Sequence, residues 1–177
     1  MIKDNVLEVR RRIQAACLRA KRDPDSVKLV AVSKSRSIEQ IREASLAGIT
    51  DFGENKIQEA LLKYEEKLAI KWHMVGHLQT NKVKEAVKIF DLIHSVDSQR
   101  LAEEIDKQAA KINKIQDILI EVKTSPEATK FGIEPVQAAE VIREIYKLKN
   151  INIQGLMTIA PLAENPEESR PYFRACG

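Results

Sequence analysis

Segments with the pattern of β-strands alternate with segments that have the pattern of amphipathic α-helices along most of this 177-residue chain. Each of six apolar, β-type segments is followed by apolar residues at helical spacing. The predicted strands are Leu29–Ser33, Thr50–Glu54, Lys71–Gly76, Leu92–Val96, Ile118–Val122 and Ile151–Ile159. Because regular alternation of this kind is typical of a parallel sheet with helical crossovers, the sequence predicts the α/β class.

The alternation leaves two parallel architectures open. A doubly wound sheet usually has a glycine-rich first strand-to-helix loop, and Ser33–Arg36 contains no glycine. A TIM-type (β/α) barrel has eight strands and typically about 250 residues, more than this chain supplies. Six strands of a barrel would leave two apolar edges unpaired, which favours association through those edges. Since no linker or low-complexity tract divides the chain, residues 1–177 are predicted to form one domain.

Several helix boundaries are marked by local signals. Ser37 and Gln40 form a Ser-x-x-Gln capping box that predicts a helix start just after the first strand. Gly48 is the expected stop of that helix. Pro135 occupies the permitted first position of a later helix. Asp4 is the expected N-cap of the first helix.

Composition is that of an ordinary globular protein, with 44% hydrophobic and 31% charged residues. No apolar run approaches the roughly 20 residues that span a bilayer, and the amino terminus lacks a signal-peptide core, so a cytoplasmic location is expected. The net charge of +3 is spread over interspersed charges, and only 5% of residues are aromatic. We therefore expect neither nucleic acid nor a membrane as a partner. Cys17 and Cys176 predict no disulfide or zinc site.

Lys34 stands at the end of the first predicted strand, immediately before the loop that leads to the capped helix. In parallel α/β folds, ligands bind at this carboxyl edge of the sheet. A lysine whose stem is desolvated there loses part of its preference for the charged form, and its free amine condenses with an aldehyde. The alternative is an ordinary solvated surface lysine.

Polar residues also follow other predicted strands, and each has two interpretations. Asn55 either contributes to a site or caps the helix that follows. His73 and His77 are four residues apart, but they straddle a strand-to-helix turn, so no metal site is predicted. Met157 either contacts a ligand or fills the core. Lys130 is expected to be a solvated loop residue.

Five motifs in chain order resemble those of the pyridoxal phosphate homeostasis protein family, which is related to the barrel domain of alanine racemase. The resemblance extends from Val6 to Phe173. The motifs are Val-Ala-Val-Ser-Lys at 30–34, Gly-Glu-Asn at 53–55, His-x-x-Gly-x-Leu-Gln-x-Asn-Lys at 73–82, His-Ser-Val-Asp at 94–97 and Gly-Leu-Met-Thr-Ile at 155–159.

The resemblance implies a TIM-type (β/α) barrel like the alanine racemase N-terminal domain. It implies that Lys34 holds pyridoxal 5′-phosphate as a Schiff base, that Asn55 and His77 line the same face, and that Met157 lies near the cofactor. Lys130 matches a lysine in the loop after the fifth strand. The implied function is intracellular vitamin B6 homeostasis without substrate turnover, with pyridoxal phosphate-dependent apoenzymes as recipients of the cofactor.

The sequence departs from the family at its carboxyl end. Family members continue for two more strands, where a Ser-Met-Gly-Met-Ser segment and a Thr-x-Val-Arg-x-Gly segment bind the cofactor phosphate, and the arginine faces the pyridine ring. The 177-residue sequence contains neither segment. We therefore expect a barrel that lacks its last two strands, in a carboxyl-truncated member of the family.

Two other functions stay open. One is an amino-acid racemase-like enzyme, which would need a second domain to supply an opposing acid or base, and none is expected here. The other is a barrel fragment that binds no ligand and acts only in interactions.

Overall fold

Six strands alternate with seven α-helices in the computed structural model of this chain, which describes residues 1–127 and 130–176. The strands are β1 Val30–Val32, β2 Asp51–Glu54, β3 Lys71–Met74, β4 Leu92–Val96, β5 Gln116–Glu121 and β6 Ile151–Met157. The helices are α1 Ile2–Arg19, α2 Ile38–Leu46, α3 Ile57–Tyr64, α4 Val83–Ile89, α5 Gln99–Ala110, α6 Pro135–Ile145 and α7 Pro166–Arg174. Short 3₁₀ turns occupy Pro24–Ser26 and Thr80–Lys82.

The chain divides into two compact units, Met1–His73 and Met74–Gly177. In the first unit, β1 pairs in parallel with β2, and Val32 lies opposite Gly53. Helix α1 packs on α2. Phe52 and Trp72 are buried in this unit with their ring centroids 6.3 Å apart. The parallel pair brings the carboxyl ends of β1 and β2 side by side.

The second unit contains the parallel strands β4, β5 and β6, hydrogen-bonded in that order. Its helices α4, α5 and α6 pack in sequence. The buried apolar side chains of this unit include Phe90, Ile93, Leu101, Ile105, Ile118, Ile120 and Ile145. The last residue of β5, Glu121, lies opposite the last residue of β6, Met157, so these two strands also end together.

The predicted alternation of six strands with helices is confirmed, and so are three of the local signals that begin and end helices. Ser37 Oγ accepts a hydrogen bond from the Gln40 N–H at 3.4 Å, and Gln40 Oε1 accepts one from the Ser37 N–H at 3.1 Å. Gly48, two residues beyond α2, has a φ of 91°. Pro135 is the first residue of α6. These signals were readable because a cap or stop depends only on neighbouring residues.

The predicted cap Asp4 is wrong, and of the two interpretations of Asn55 the structure excludes the cap. Helix α1 begins at Ile2, before Asp4, whose carboxylate instead accepts a hydrogen bond from the amino group of Met1 at 2.9 Å. The N-cap of α3 is Lys56, without a capping side chain, so Asn55 does not cap this helix. In both places the helix starts at a residue without the side-chain oxygen that the cap rule requires.

Within the described ranges, no helix is both long enough and apolar enough to cross a membrane. That residues 1–177 act as one domain stays a prediction.

Candidate functional site

Lys34 lies at the carboxyl end of β1, two residues beyond Val32, as predicted. It occupies a tight turn that is closed by a 3.0 Å hydrogen bond from the Arg36 N–H to the Ser33 carbonyl oxygen. Lys34 lies in the turn, outside the strand, and its side chain is exposed. The expected desolvation of its stem is therefore absent. No hydrogen bond or ion pair of its amine joins it to any residue in the described part of the chain. A free, accessible primary amine therefore stands at this strand end.

Asn55 lies two residues beyond Gly53, the β2 residue that pairs with Val32. Lys34 and Asn55 therefore occupy equivalent positions after two neighbouring parallel strands. Asn55 is half-buried, and its side chain makes no hydrogen bond within residues 1–127 or 130–176. Since it does not cap α3, its amide is available to a ligand.

Beneath the Lys34 turn lies a group of charged residues that the sequence analysis missed. Glu54 is fully buried and lies 2.7 Å from the ammonium of Lys63, which is itself 8% exposed. Glu59 lies 2.7 Å from the same ammonium. Only the spacing of Glu59 and Lys63, four residues apart on one helix, was a visible signal of this arrangement.

His77 follows β3 in the second unit, where its ring has two partners. Its Nδ1 lies 3.1 Å from Oδ2 of Asp97, and its ring stacks on Phe131 with centroids 3.7 Å apart and planes inclined by 13°. The carboxylate and the aromatic ring hold the imidazole in place, and Nε2 is the second polar atom of the ring. His77 is thus oriented as a potential hydrogen-bonding group.

Met157 and Glu121 end neighbouring strands of the second unit. The Met157 carbonyl oxygen accepts a hydrogen bond from the Val122 N–H at 2.8 Å, and the Met157 side chain is half-buried. Glu121 is 6% exposed. Burial, and secondarily the nearby charge of Asp97, raises the pKa of the Glu121 carboxyl to about 7. The sequence analysis missed Glu121 because no pattern among its neighbours along the chain indicates that it is buried.

Other residues named from the sequence have ordinary partners. Lys130 Nζ lies 3.9 Å from Oε2 of Glu127, in a loop whose residues 128 and 129 lie outside the described part of the chain. His73 Nε2 lies 3.0 Å from Oδ1 of Asp51, at the amino end of β2. Among the described residues, no cluster of three or more His, Cys, Asp or Glu residues could hold a metal ion.

The chain is similar to a known family and to curated proteins over most of its length. The alanine racemase N-terminal domain family matches residues 3–176. A pyridoxal phosphate homeostasis protein of Aquifex aeolicus is 47% identical over 97% of this chain and 76% of its own length. The Synechocystis protein of the same name is 40% identical over 85% of this chain and 70% of its own length.

Solved structures of several proteins are also similar to this chain. A Bifidobacterium adolescentis protein superposes with a TM-score of 0.93, at 35% identity over 99% of this chain and 76% of its own. PipY of Synechococcus elongatus, solved with pyridoxal phosphate bound, has a TM-score of 0.81 at 34% identity, over 99% of this chain and 78% of its own. An alanine racemase of Clostridium difficile, at 14% identity and a TM-score of 0.71, shares the fold alone. The predicted incomplete TIM-type barrel of the alanine racemase N-terminal kind is confirmed.

Proposed function

The chain belongs to the pyridoxal phosphate homeostasis protein family, and from that premise we propose that it binds pyridoxal 5′-phosphate and holds it on Lys34 in vitamin B6 homeostasis. The observation that carries the proposal is the exposed Lys34 amine at the carboxyl end of β1, with no partner among the described residues. When bound, the cofactor supplies an aldehyde carbon with which a primary amine condenses as water leaves.

The surroundings of Lys34 fit such a ligand better than those of Lys63 and Lys130. Lys63 is buried between two carboxylates, and Lys130 lies near Glu127. No carboxylate of the described residues pairs with Lys34, and the amide of Asn55 follows the neighbouring strand. Asn55 is proposed to donate or accept a hydrogen bond to the ligand. His77 and Met157, in the second unit, stay predicted cofactor contacts.

We propose that the protein carries the cofactor without turning over a substrate. Eight curated relatives that are 32–47% identical are named for pyridoxal phosphate homeostasis, whereas the solved racemases are 14–19% identical and support the fold alone. A racemase-like activity is the alternative. Incubating the loaded protein with a panel of amino acids tests it, and turnover that disappears in Lys34→Ala would establish an enzyme.

The proposed role of Lys34 is tested by trapping its adduct with the cofactor. The protein is incubated with one to ten equivalents of pyridoxal phosphate, reduced with borohydride and mapped by peptide mass. We expect the label on Lys34, and we expect Lys34→Ala to lose both the label and the absorption band of the adduct. Lys84→Ala, which removes an exposed lysine on α4, is the matched control and should keep them. Equal labelling of Lys82 or Lys130 would contradict the assignment.

Apoenzymes that depend on pyridoxal phosphate are the proposed recipients of the cofactor. The proposal is supported by the family name alone, which links the relatives to cofactor supply. Mixing the loaded protein with an apo-aminotransferase should restore activity faster than the same total amount of free cofactor does. Equal rates would show that the cofactor travels through solution and that no direct transfer occurs.

A further inference from the structure

The turn that carries Lys34 is held by side chains of β2 and α3. We propose that Glu54, Glu59 and Lys63 are positioning residues, which fix the backbone on both sides of Lys34 and so set where its amine stands. The inference rests on the proposed function, because it concerns the delivery of the same amine. It goes beyond that function by assigning a role to a charged group that, among the described residues, makes no hydrogen bond or ion pair with the Lys34 side chain.

The conformation of the turn needs outside support. Ser33 and Arg36 close it, and Ser35, at its third position, has a φ of 57°. A positive φ at that position is a feature of type II turns, where glycine is favoured because a Cβ is strained there. Strained residues of this kind persist when surrounding contacts over-determine them, and they concentrate at ligand sites. Serine at this position therefore points to contacts that hold it.

Those contacts are made to both neighbours of Lys34. Ser33 Oγ donates a hydrogen bond to Glu54 Oε1 at 2.6 Å, and the Ser33 carbonyl oxygen accepts one from Lys63 Nζ at 2.7 Å. On the other side, the Ser35 N–H donates a hydrogen bond to Glu59 Oε1. The backbone before and after Lys34 is thereby fixed, while its side chain stays free to react.

Lys63 links these contacts into one network. Its ammonium donates to the Ser33 carbonyl oxygen, to Glu54 Oε1 and to Glu59 Oε1, each at 2.7 Å, which uses all three of its N–H groups. The two carboxylates outnumber the one ammonium, and Glu54 Oε2 is buried without a hydrogen-bond partner among residues 1–127 and 130–176. Buried charged residues with an unsatisfied oxygen are weak evidence of stabilisation. Because the hydrogen bonds of this network meet at the Lys34 turn, they support a positioning role.

Glu59→Ala tests the proposal because it frees the Ser35 N–H and leaves the buried Glu54–Lys63 pair in place. The matched control is Glu66→Ala, which removes an exposed carboxylate of the same unit that pairs with Arg42 at 2.8 Å. Without cofactor, trypsin cleavage after Lys34 and Arg36 is measured relative to cleavage after Lys21. We expect Glu59→Ala to raise this ratio about tenfold, as expected for a lost charge-assisted hydrogen bond, and Glu66→Ala to leave it unchanged.

The second readout is the rate at which pyridoxal phosphate and borohydride label Lys34. It should fall in Glu59→Ala and stay unchanged in Glu66→Ala. Adding Ser35→Gly to Glu59→Ala should restore part of the rate, because glycine adopts the positive φ without the contact. If the network only stabilised the fold, adding Ser35→Gly would not restore the labelling rate of Lys34. If Glu59→Ala fails to fold, Glu59→Gln replaces it, with about a threefold rise in cleavage expected for a neutral acceptor.

The two proposals fail differently. If the wild-type protein is not labelled at Lys34, the proposed function is wrong, and the cleavage ratio still decides whether the network holds the turn. If Glu59→Ala and Glu66→Ala give the same cleavage ratio, or if Ser35→Gly restores no labelling in the double variant, the positioning role is overturned.

Discussion

The fold changes the chemistry of Glu121. It ends β5, is 6% exposed, and has a pKa raised to about 7 by burial and by the nearby Asp97. A carboxyl group in this state changes charge near neutral pH, whereas an exposed glutamate does so near pH 4.3. Its neighbour across the sheet is Met157, a predicted cofactor contact. The stability of the second unit should therefore depend on pH around neutrality.

The first prediction concerns that dependence. Because the pKa of Glu121 is raised on folding, the native state binds more protons than the unfolded state between pH 4.5 and about 7. Its contribution to the free energy of unfolding is complete below pH 4.5 and is lost as pH rises through about 7, on the order of 3 kcal/mol in all. Urea denaturation at pH 5, 6, 7 and 8 should show this decline in wild type and much less of it in Glu121→Gln. The exposed Glu140→Gln should behave as wild type.

Asp97 provides the second prediction. Its charge is the lesser cause of the raised pKa of Glu121, so Asp97→Asn should lower that pKa while burial keeps it above 4.5. The carboxyl carbon shift of Glu121, followed by NMR through a pH titration, measures the change. A Glu121 midpoint equal to that of wild type would show that the charge of Asp97 does not reach it.

At the scale of single elements, α2 sets where the Lys34 turn ends. The helix starts at Ile38, immediately after its cap Ser37, and Lys34 lies three residues before that cap. The side chain of Ser37 supplies an acceptor for an N–H that the helix cannot satisfy itself. A short local signal in the sequence thereby delimits the proposed site.

Ser37→Ala should lower the free energy of unfolding by about 1 kcal/mol, the usual cost of losing an N-cap. Ser45→Ala is the control on the same helix, since Ser45 lies near its end, away from the cap. Alanine is the better helix former, so this variant should match or slightly exceed wild type. Urea denaturation of both variants makes the comparison, and equal losses would mean that the cap contributes nothing.

Gly132 constrains the loop that presents Phe131 to His77. It has a φ of 123°, and a Cβ at this position would lie 2.6 Å from the backbone nitrogen of Lys123. Gly132→Ala should cost about 2 kcal/mol or more, because the backbone on both sides must shift. Gly48→Ala is expected to cost less, since its nearest neighbour is the flexible end of the Arg10 side chain. Thermal denaturation ranks the two variants.

At the scale of the whole molecule, the chain spans 76% of the length of its Aquifex relative. The resemblance puts the phosphate-binding segments of the family in strands that the 177-residue sequence does not contain. Each charge-assisted hydrogen bond to a phosphate contributes about 1.5–3 kcal/mol, so two or three of them amount to on the order of a thousandfold in affinity.

The 177-residue chain should accordingly bind pyridoxal phosphate little better than pyridoxal. Half-saturating concentrations for borohydride labelling of Lys34 are measured for the two aldehydes side by side. A strong preference for the phosphorylated form, approaching a thousandfold, would show that residues of this chain build a phosphate site by themselves, in one copy or between two.

Part of the fold and of the candidate site was predictable from the sequence. Six strands that alternate with helices and the capped start of α2 were predictable, because side-chain period and caps are properties of neighbouring residues. Lys34 and Asn55 were correctly placed after β1 and β2 for the same reason. Whether these residues bind a cofactor stays a prediction.

What the amino-acid order alone determined is therefore the α/β class, the strand ends and the family. Only the tertiary structure decided that Lys63, thirty residues from Ser33 along the chain, donates to its carbonyl oxygen beside Lys34. It also decided that Glu121 is buried within reach of the charge of Asp97. Burial and charge proximity depend on which distant segments pack together, and no local pattern records them.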